Sequence, residues 1–175
     1  LTRDLAKRFN TRYGQTFQLP EGYILKEGAK INDLQEPTAK MSKSSASVSG
    51  VIELMDPPDV NLKKFKSAVT DTGKEVVFDE KNKPGISNLL TIHSAISGVK
   101  IKELENEFAG KGYGDFKMAV AEVVVEHLKP IREKALGLLE DETELIKILH
   151  DGASRAKVTA NKTLTQTYKA LGLVL

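Results

Sequence analysis

The sequence contains no cysteine and no tryptophan, and only 6% of its residues are aromatic. Without cysteine it can form neither a disulfide framework nor a thiolate zinc site. Apolar runs are short: Val123–Val125 is far below the roughly 20 residues that a bilayer-spanning helix needs. No charged and apolar leader of the secretory type opens the chain. We therefore expect no association with a membrane, and the cytoplasm is the default location.

Two further absences concern metals and the start of the chain. The three histidines, His93, His127 and His150, are too widely spaced for a local metal-binding motif, so no metal site is predicted. The first residue is Leu1 rather than methionine. This start leads us to expect a processed chain or a piece of a longer protein.

The residues that are present are sufficient for a folded domain. The 175 residues are 40% hydrophobic and carry 26 basic against 24 acidic side chains, for a net charge of +2. A chain of this length can lose about two-thirds of its unfolded surface on folding, which argues against intrinsic disorder. The balanced charge excludes a polybasic tail as the main functional device, although local basic faces remain possible.

The pattern of apolar residues along the sequence changes near residue 56. Residues 1–55 contain a short amphipathic helix that Gly14 should end, followed by two candidate extended stretches, Thr16–Leu19 and Gly22–Leu25. Such short pieces are marginal as an isolated sheet, so they could be edges of a larger one. Residues 56–175 have the helical period almost throughout. The expected fold class is therefore mainly α.

Five helices are predicted in residues 56–175 from the apolar period and the capping signals. The first should be capped by Asp59 and extend to a stop at residues 71–73, with Lys63, Lys64 and Lys66 on its solvent side. The others should begin at Ser87, near Ile101, at Asp115 and at Asp141, with stops at Gly98 and Gly110, a kink at Pro130, and a capping box between Asp141 and Glu144.

The most informative segment is Lys40-Met41-Ser42-Lys43-Ser44, which we call the signature loop. It belongs to a serine-rich stretch between Pro37 and Gly50, a composition typical of a mobile, solvated linker. Two lysines three residues apart in such a loop can also follow the charge of a polyphosphate, where nucleotidyl transfer needs cationic donors. With average residue usage, a given pentapeptide occurs by chance in roughly one of ten thousand chains of this length.

The signature loop is that of the class I aminoacyl-tRNA synthetases, and the segments around it resemble the bacterial tryptophanyl-tRNA synthetase family in order and spacing. The matching segments are Leu1–Asn10, Gly28–Ile31, Pro37–Lys40, Lys83–Leu90 and Gly110–Lys117. Tyrosyl-tRNA synthetases share the catalytic fold and a related lysine loop, but their C-terminal half does not resemble residues 83–117. The chain departs from the family pattern at Ala39, usually basic, and at Ser45, usually aspartate.

The resemblance implies an ATP-dependent ligase that makes tryptophanyl-adenylate and passes the aminoacyl group to tRNA(Trp). By motif position, Lys43 would bind the ATP phosphates and, with Lys40, serve as a catalytic residue. Lys40, Met41, Ser42 and Ser44 would shape the loop and contact ATP, which enters with Mg²⁺, and the main chain of Ile31 would meet the adenine. The resemblance also implies a homodimer for the full enzyme.

The same resemblance implies a division at residue 55. Residues 1–55 would be the C-terminal part of a Rossmann-like α/β catalytic domain, and residues 56–175 an all-helical domain that binds the anticodon arm of tRNA. The family's HIGH-type motif and Gly-x-Asp-Gln segment lie before the match to Leu1. We therefore expect this polypeptide alone to be inactive, because adenylation requires ATP and amino acid to be positioned together.

Two functions from different classes stay open on the sequence. One is a fragment of a tryptophan–tRNA ligase, and the other is a non-catalytic tRNA-binding or interaction module that has kept the fold. Both loop lysines are retained, which favours the ligase. From Leu145 onward the chain has five basic residues against Asp151, and a basic helix of this kind can follow a tRNA backbone or be simply solvated.

Overall fold

The computed structural model describes residues 1–23, 30–45 and 47–174, and these residues form six α-helices and no β-strand. The helices are α1 (Thr2–Tyr13), α2 (Pro58–Lys66), α3 (Pro84–Ser97), α4 (Ile101–Glu107), α5 (Tyr113–Glu140) and α6 (Glu142–Leu171). The chain divides into two compact units, Leu1–Ile24 with Gly137–Leu175, and Leu25–Leu136. The prediction of a mainly α chain is confirmed.

In the first unit, α1 ends where the sequence predicts. Gly14 adopts φ 88°, which is in the region that favours glycine, and its N–H donates to the carbonyl of Asn10. The side chain of Asn10 then accepts the backbone N–H groups of Thr16 (3.1 Å) and Phe17 (2.8 Å). The ring of Phe17 packs edge-on against Phe9, with 4.8 Å between the centroids.

These contacts correct the extended candidates. Thr16–Leu19 is not a strand, because the backbone polar groups of Thr16 and Phe17 that a sheet would use are bonded to the side chain of Asn10. In the second candidate, Gly22 and Tyr23 have no strand either, and Ile24 and Leu25 lie outside the described residues. The short segments after α1 therefore pack locally.

The long helix α6 starts as predicted and buries none of its described residues. The carboxylate of Asp141 accepts the backbone N–H of Glu144 at 3.0 Å, which confirms the N-terminal cap. At the other end Gly172 adopts φ 71° and satisfies terminal carbonyls. None of the helices in the described part of the chain is long and apolar enough to cross a membrane.

The second unit is built around one apolar core to which α2, α3, α4 and α5 all contribute. Its most deeply buried side chains are at most 1% exposed: Leu34, Phe65, Ile86, Leu89, Leu90, Leu104, Phe116, Val120 and Ala121. Leu34 comes from the segment before the signature loop, and Ile31 and Met41 pack partly buried against the same cluster. The core therefore contacts both the segment before the signature loop and the loop residue Met41.

Three predicted helix starts are wrong, each by one to three residues. Proline occupies the first turn of α2 (Pro58) and of α3 (Pro84), where its fixed φ suits the helix and its missing N–H is not needed. Asp59 therefore lies inside the first turn rather than at the cap, and Ser87 lies in the body of α3. Helix α5 begins at Tyr113 rather than Asp115 and continues through Pro130.

The predicted solvent exposure of Lys64 is also wrong. The helix α2 ends at Lys66, and Lys64 is buried instead of solvent-facing. Its Nζ donates to the carbonyl of Val51 (2.7 Å) and to the carboxylate of Asp56 (2.6 Å). Lys63 is exposed as predicted and pairs with Asp59 one turn earlier at 3.1 Å. The buried pair explains the difference, since a buried ammonium requires a charged and hydrogen-bonded partner.

Candidate nucleotide-binding loop

The segment before the signature loop folds back on it. The N–H of Met41 donates to the carbonyl of Ile31 (3.0 Å), and the N–H of Asp33 donates to that of Ala39 (2.9 Å). Between these bonds Asn32 and Lys40 form an antiparallel bridge. The structure thus brings Ile31 beside Met41, two residues for which the family resemblance implies the same nucleotide site.

The signature loop itself makes a short turn held by serines. The hydroxyls of Ser42 and Ser44 lie 3.0 Å apart, and the N–H of Ser45 donates to the carbonyl of Ser42 at 2.9 Å. Lys40 and Lys43 are exposed, and neither forms an ion pair with any acidic group in residues 1–23, 30–45 and 47–174. Two unpaired ammonium groups beside a serine turn can bind a polyphosphate through charge-assisted hydrogen bonds.

A pair of hydrogen bonds connects the segment before this loop to the helical core. The N–H of Asn32 donates to the side-chain carbonyl of Asn88 on α3 at 2.9 Å, and the amide of Asn88 donates back to the carbonyl of Asn32 at 2.8 Å. Asn88 is buried, and these two residues are 56 positions apart in sequence. Sequence reasoning missed this role. The only signal was the position of Asn88 in the Lys83–Leu90 motif.

Asp33 is the second site residue that the sequence did not reveal. The residue is 2% exposed, and its carboxylate accepts three hydrogen bonds, from the hydroxyl of Ser45 (2.7 Å) and from the N–H groups of Gln35 (2.8 Å) and Glu36 (3.1 Å). Burial alone would raise the pKa of Asp33. The hydrogen bonds from Ser45, Gln35 and Glu36 outweigh burial and hold that pKa below its ordinary value.

Gly50 packs directly against the carboxylate of Asp33. A Cβ atom added at Gly50 would overlap the carboxylate of Asp33, and the carbonyl of Gly50 already accepts the N–H of Leu34 at 2.9 Å. The absence of a side chain at position 50 is therefore a requirement of packing. This requirement gives a direct test of how tightly Asp33 is seated.

Replacing Gly50 with alanine is expected to lower the free energy of unfolding by about 1–3 kcal/mol, because an added methyl group forces displacement in a well-packed region. Urea denaturation measures the change. Gly112 provides a matched control, since a Cβ atom there meets nothing within 4 Å. Gly112→Ala should change stability by about 0.5 kcal/mol or less. Equal effects of the two substitutions would contradict the tight seat around Asp33.

A separate polar cluster fixes the start of α5. The hydroxyl of Tyr113 donates to the carboxylate of Asp71 (2.8 Å), and Lys83 donates to the same hydroxyl (2.8 Å) and lies 3.2 Å from Asp71. Hydrogen bonding to Tyr113 raises the pKa of Lys83 despite partial desolvation. Tyr113 therefore docks through its hydroxyl as well as its ring.

The predicted basic face lies on α6. Two of its cations are paired at the surface, Lys147 with Glu144 (3.6 Å) and Arg155 with Asp151 (3.0 Å). Lys157, Lys162 and Lys169 form no ion pair within the part of the chain that is described. Exposed, unpaired lysines of this kind are suited to bind phosphate.

Comparison with known proteins gives one consistent family. The family model described as "tRNA synthetases class I (W and Y)" matches residues 1–129. Tryptophan–tRNA ligases from Leifsonia xyli subsp. xyli and Bacillus subtilis are 53% and 51% identical, over 99% of this chain in each case. The chain spans about half the length of these relatives, 52% of each.

Solved structures agree with the sequence relatives. The tryptophanyl-tRNA synthetase from Mycoplasma pneumoniae superimposes with a TM-score of 0.83 at 33% identity, over 98% of this chain and 53% of that one. The enzyme from Campylobacter jejuni, in a complex with ADP and tryptophan, gives a TM-score of 0.63 at 33% identity, over 98% of this chain and 52% of that one.

Proposed function

Because the chain belongs to the class I tRNA synthetases (W and Y), we propose that it is the C-terminal part of a tryptophan–tRNA ligase that activates tryptophan with ATP and transfers it to tRNA(Trp). The observation that carries this proposal is the signature loop, in which Met41 is hydrogen-bonded to Ile31 while Lys40 and Lys43 are exposed and form no ion pair with the residues that the structure describes. The two lysines are thereby held on one short turn that can face a triphosphate.

The proposed chemistry is adenylation followed by transfer. A carboxylate oxygen of tryptophan attacks the α-phosphorus of ATP, and the bond to the bridging oxygen breaks to release pyrophosphate. Negative charge grows on the leaving pyrophosphate, so the ammonium of Lys43, assisted by Lys40, stabilises the transition state. Mg²⁺ enters with ATP as part of the substrate. A tRNA hydroxyl then attacks the activated carbonyl, and AMP leaves.

The remaining assignments of site residues follow the same proposal. The main chain of Ile31 contacts the adenine, and Met41, Ser42 and Ser44 shape the loop and contact ATP, partly through backbone groups. Backbone N–H groups in a turn suit this role because they bind anions without a side chain. The two loop serines already constrain the turn through their 3.0 Å hydroxyl contact.

We assign residues 1–55 to the end of the catalytic domain and residues 56–175 to the helical domain that binds tRNA. The full enzyme would act in the cytoplasm as a homodimer. A polypeptide of only these 175 residues should not catalyse adenylation, because the matched relatives are about twice as long and catalysis requires both substrates to be held together.

Amino-acid-dependent exchange of pyrophosphate into ATP tests the proposed function. The protein to assay is the one encoded by the complete reading frame that contains these residues, with tryptophan and tyrosine supplied separately. Exchange that depends on tryptophan is the expected result. Exchange that depends on tyrosine would identify the tyrosyl enzyme, and no exchange with tRNA binding retained would identify a non-catalytic module.

The tRNA interface can be tested separately on α6. Neutralising Lys157 and Lys162 together should weaken tRNA affinity and reduce the slope of log K against log salt by about 1–2, since each lysine that contacts a phosphate contributes about 0.7–0.9 to that slope. Filter binding at several salt concentrations measures it. Lys147 and Arg155, already paired with acidic residues, supply the matched double substitution. Identical slopes for wild type and the Lys157/Lys162 variant would exclude this face.

A further inference from the structure

Both ends of the signature loop are attached to one short segment of the chain. On the N-terminal side, the N–H of Met41 donates to the carbonyl of Ile31. On the C-terminal side, the hydroxyl of Ser45 donates to the carboxylate of Asp33. Ile31 and Asp33 are two residues apart, so Lys43 lies at the tip of a turn whose two ends are fixed to the same support.

At Asp33 this segment is hydrogen-bonded through both its side chain and its backbone. One carboxylate oxygen of Asp33 accepts the N–H groups of Gln35 and Glu36, and the other accepts the hydroxyl of Ser45. The backbone N–H of the same residue donates to the carbonyl of Ala39. Hydrogen bonds to a charged, buried acceptor are stronger than neutral ones, so the carboxylate holds both its own turn and the end of the loop.

The attachment is specific to Ser45 among the serines of this stretch. Ser42 and Ser44 contact each other, and Ser47 and Ser49 contact each other at 2.8 Å, in both cases at the exposed surface. Only the hydroxyl of Ser45 reaches a buried side chain in the described residues of this stretch. The bond connects the loop to the core segment that includes the fully buried Leu34.

We propose that Asp33 and Ser45 are positioning residues for Lys43, which restrain the signature loop in the conformation that presents this lysine to the ATP phosphates. The role of Lys43 rests on the proposed function, whereas the restraint itself is a property of this chain. Positioning matters because a donor aligned in advance stabilises developing charge without reorganising during the reaction.

Amide hydrogen exchange measured by NMR on the 175-residue chain tests the restraint. Ser45→Ala should speed exchange at the N–H of residue 45 by roughly tenfold or more, since a hydrogen bond to a charged group contributes about 1.5–3 kcal/mol and 1.4 kcal/mol is tenfold. The N–H groups of Gln35 and Glu36 should stay protected, because Asp33 remains. Ser49→Ala is the matched control and should leave residue 45 unchanged.

The reciprocal variant Asp33→Ser/Ser45→Asp separates positioning from a general loss of structure. It exchanges the hydroxyl and the carboxylate, so the same pair can form with donor and acceptor reversed. Protection at residue 45 should return to within about threefold of wild type, while Asp33→Ser alone loses it. Core amides such as that of Leu90 report whether each variant is folded. Unchanged exchange in Ser45→Ala, or a folded reciprocal variant without recovery, would overturn the inference.

The complete enzyme links the restraint to catalysis. In tryptophan-dependent pyrophosphate exchange, Ser45→Ala should lower kcat by roughly tenfold with little change in the KM for tryptophan, and the reciprocal variant should recover most of it. A wild-type rate for Ser45→Ala in an active enzyme would overturn the positioning role. A wild-type enzyme with no exchange would overturn the proposed function instead, while the NMR result would still stand.

Discussion

Lys43→Ala in the complete enzyme is expected to slow tryptophan-dependent pyrophosphate exchange by about two to three powers of ten, the loss typical of removing one preorganised donor at a developing charge. The fall should appear mainly in kcat, because the charge on pyrophosphate grows only as the bond to the α-phosphorus breaks. In the structure the side chain of Lys43 is exposed and has no ion pair within the described residues. The substitution should therefore leave stability unchanged.

Lys162→Ala is the matched control for that experiment. Pyrophosphate exchange does not involve tRNA, so a lysine on the proposed tRNA face should leave the exchange rate at the wild-type level. Lys43→Arg adds a graded comparison, since it keeps the charge but changes the geometry of the donors. A Lys43→Ala enzyme as fast as the Lys162→Ala control would show that the signature loop does not stabilise the adenylation step.

Features set by neighbouring residues could be predicted from the sequence. Gly14 and Gly98 end α1 and α3 with positive φ, as expected where a helix stops at glycine. Asp141 caps α6 at the predicted residue. Each of these signals depends on a few adjacent positions. The starts at Pro58 and Pro84 are also set locally, but the polar residues Asp59 and Ser87 resemble helix caps and compete with proline as the start signal.

Features set by distant residues could not be predicted. The pairing of Asn32 with Asn88 joins positions 56 apart, and the anchoring of Ser45 on Asp33 depends on a turn that the sequence pattern does not describe. A period of apolar residues reports which face of a helix is buried. It does not report a polar side chain that becomes buried because its partner arrives from elsewhere in the chain.

The same distinction applies within the candidate site. The signature loop is recognised from its amino-acid sequence alone, and the family resemblance implies that Lys40–Ser44 bind the nucleotide. Their support could not be predicted, because Ile31 and Gly50 act through backbone bonds and close packing, and the carboxylate of Asp33 acts through partners that the fold brings to it. The chemistry proposed for this site thus follows from the family resemblance, whereas the restraint on the loop is seen only in the structure.

Lys64 is a further residue whose environment could not be predicted, and its substitution has the largest expected effect on stability. Lys64→Met should lower the free energy of unfolding by about 3 kcal/mol, the lower end of the range for breaking a buried ion pair, because the partner Asp56 keeps some contact with water. Methionine retains most of the apolar stem, so the loss reports the ammonium and its two hydrogen bonds. Chemical denaturation measures the change.

Lys63→Met is the matched control, one residue away in the same helix. Lys63 also pairs with an aspartate, Asp59, but both side chains are largely exposed at 78% and 65%. Exposed pairs contribute about 0–1 kcal/mol, so the two substitutions should differ by 2 kcal/mol or more. A loss for Lys64→Met no larger than that for Lys63→Met would contradict the buried pair.

Asp56→Asn in the Lys64→Met background identifies the source of the cost. If the penalty arises from a carboxylate left without its cation, removing the charge of Asp56 should recover part of the lost stability, and the double variant should be more stable than the sum of the two single changes predicts. The carbonyl of Val51 loses its donor both in Lys64→Met and in the double variant. Whatever stability is not recovered therefore measures that unpaired carbonyl and the altered packing, and a strictly additive result would show that the pair contributes no coupling energy.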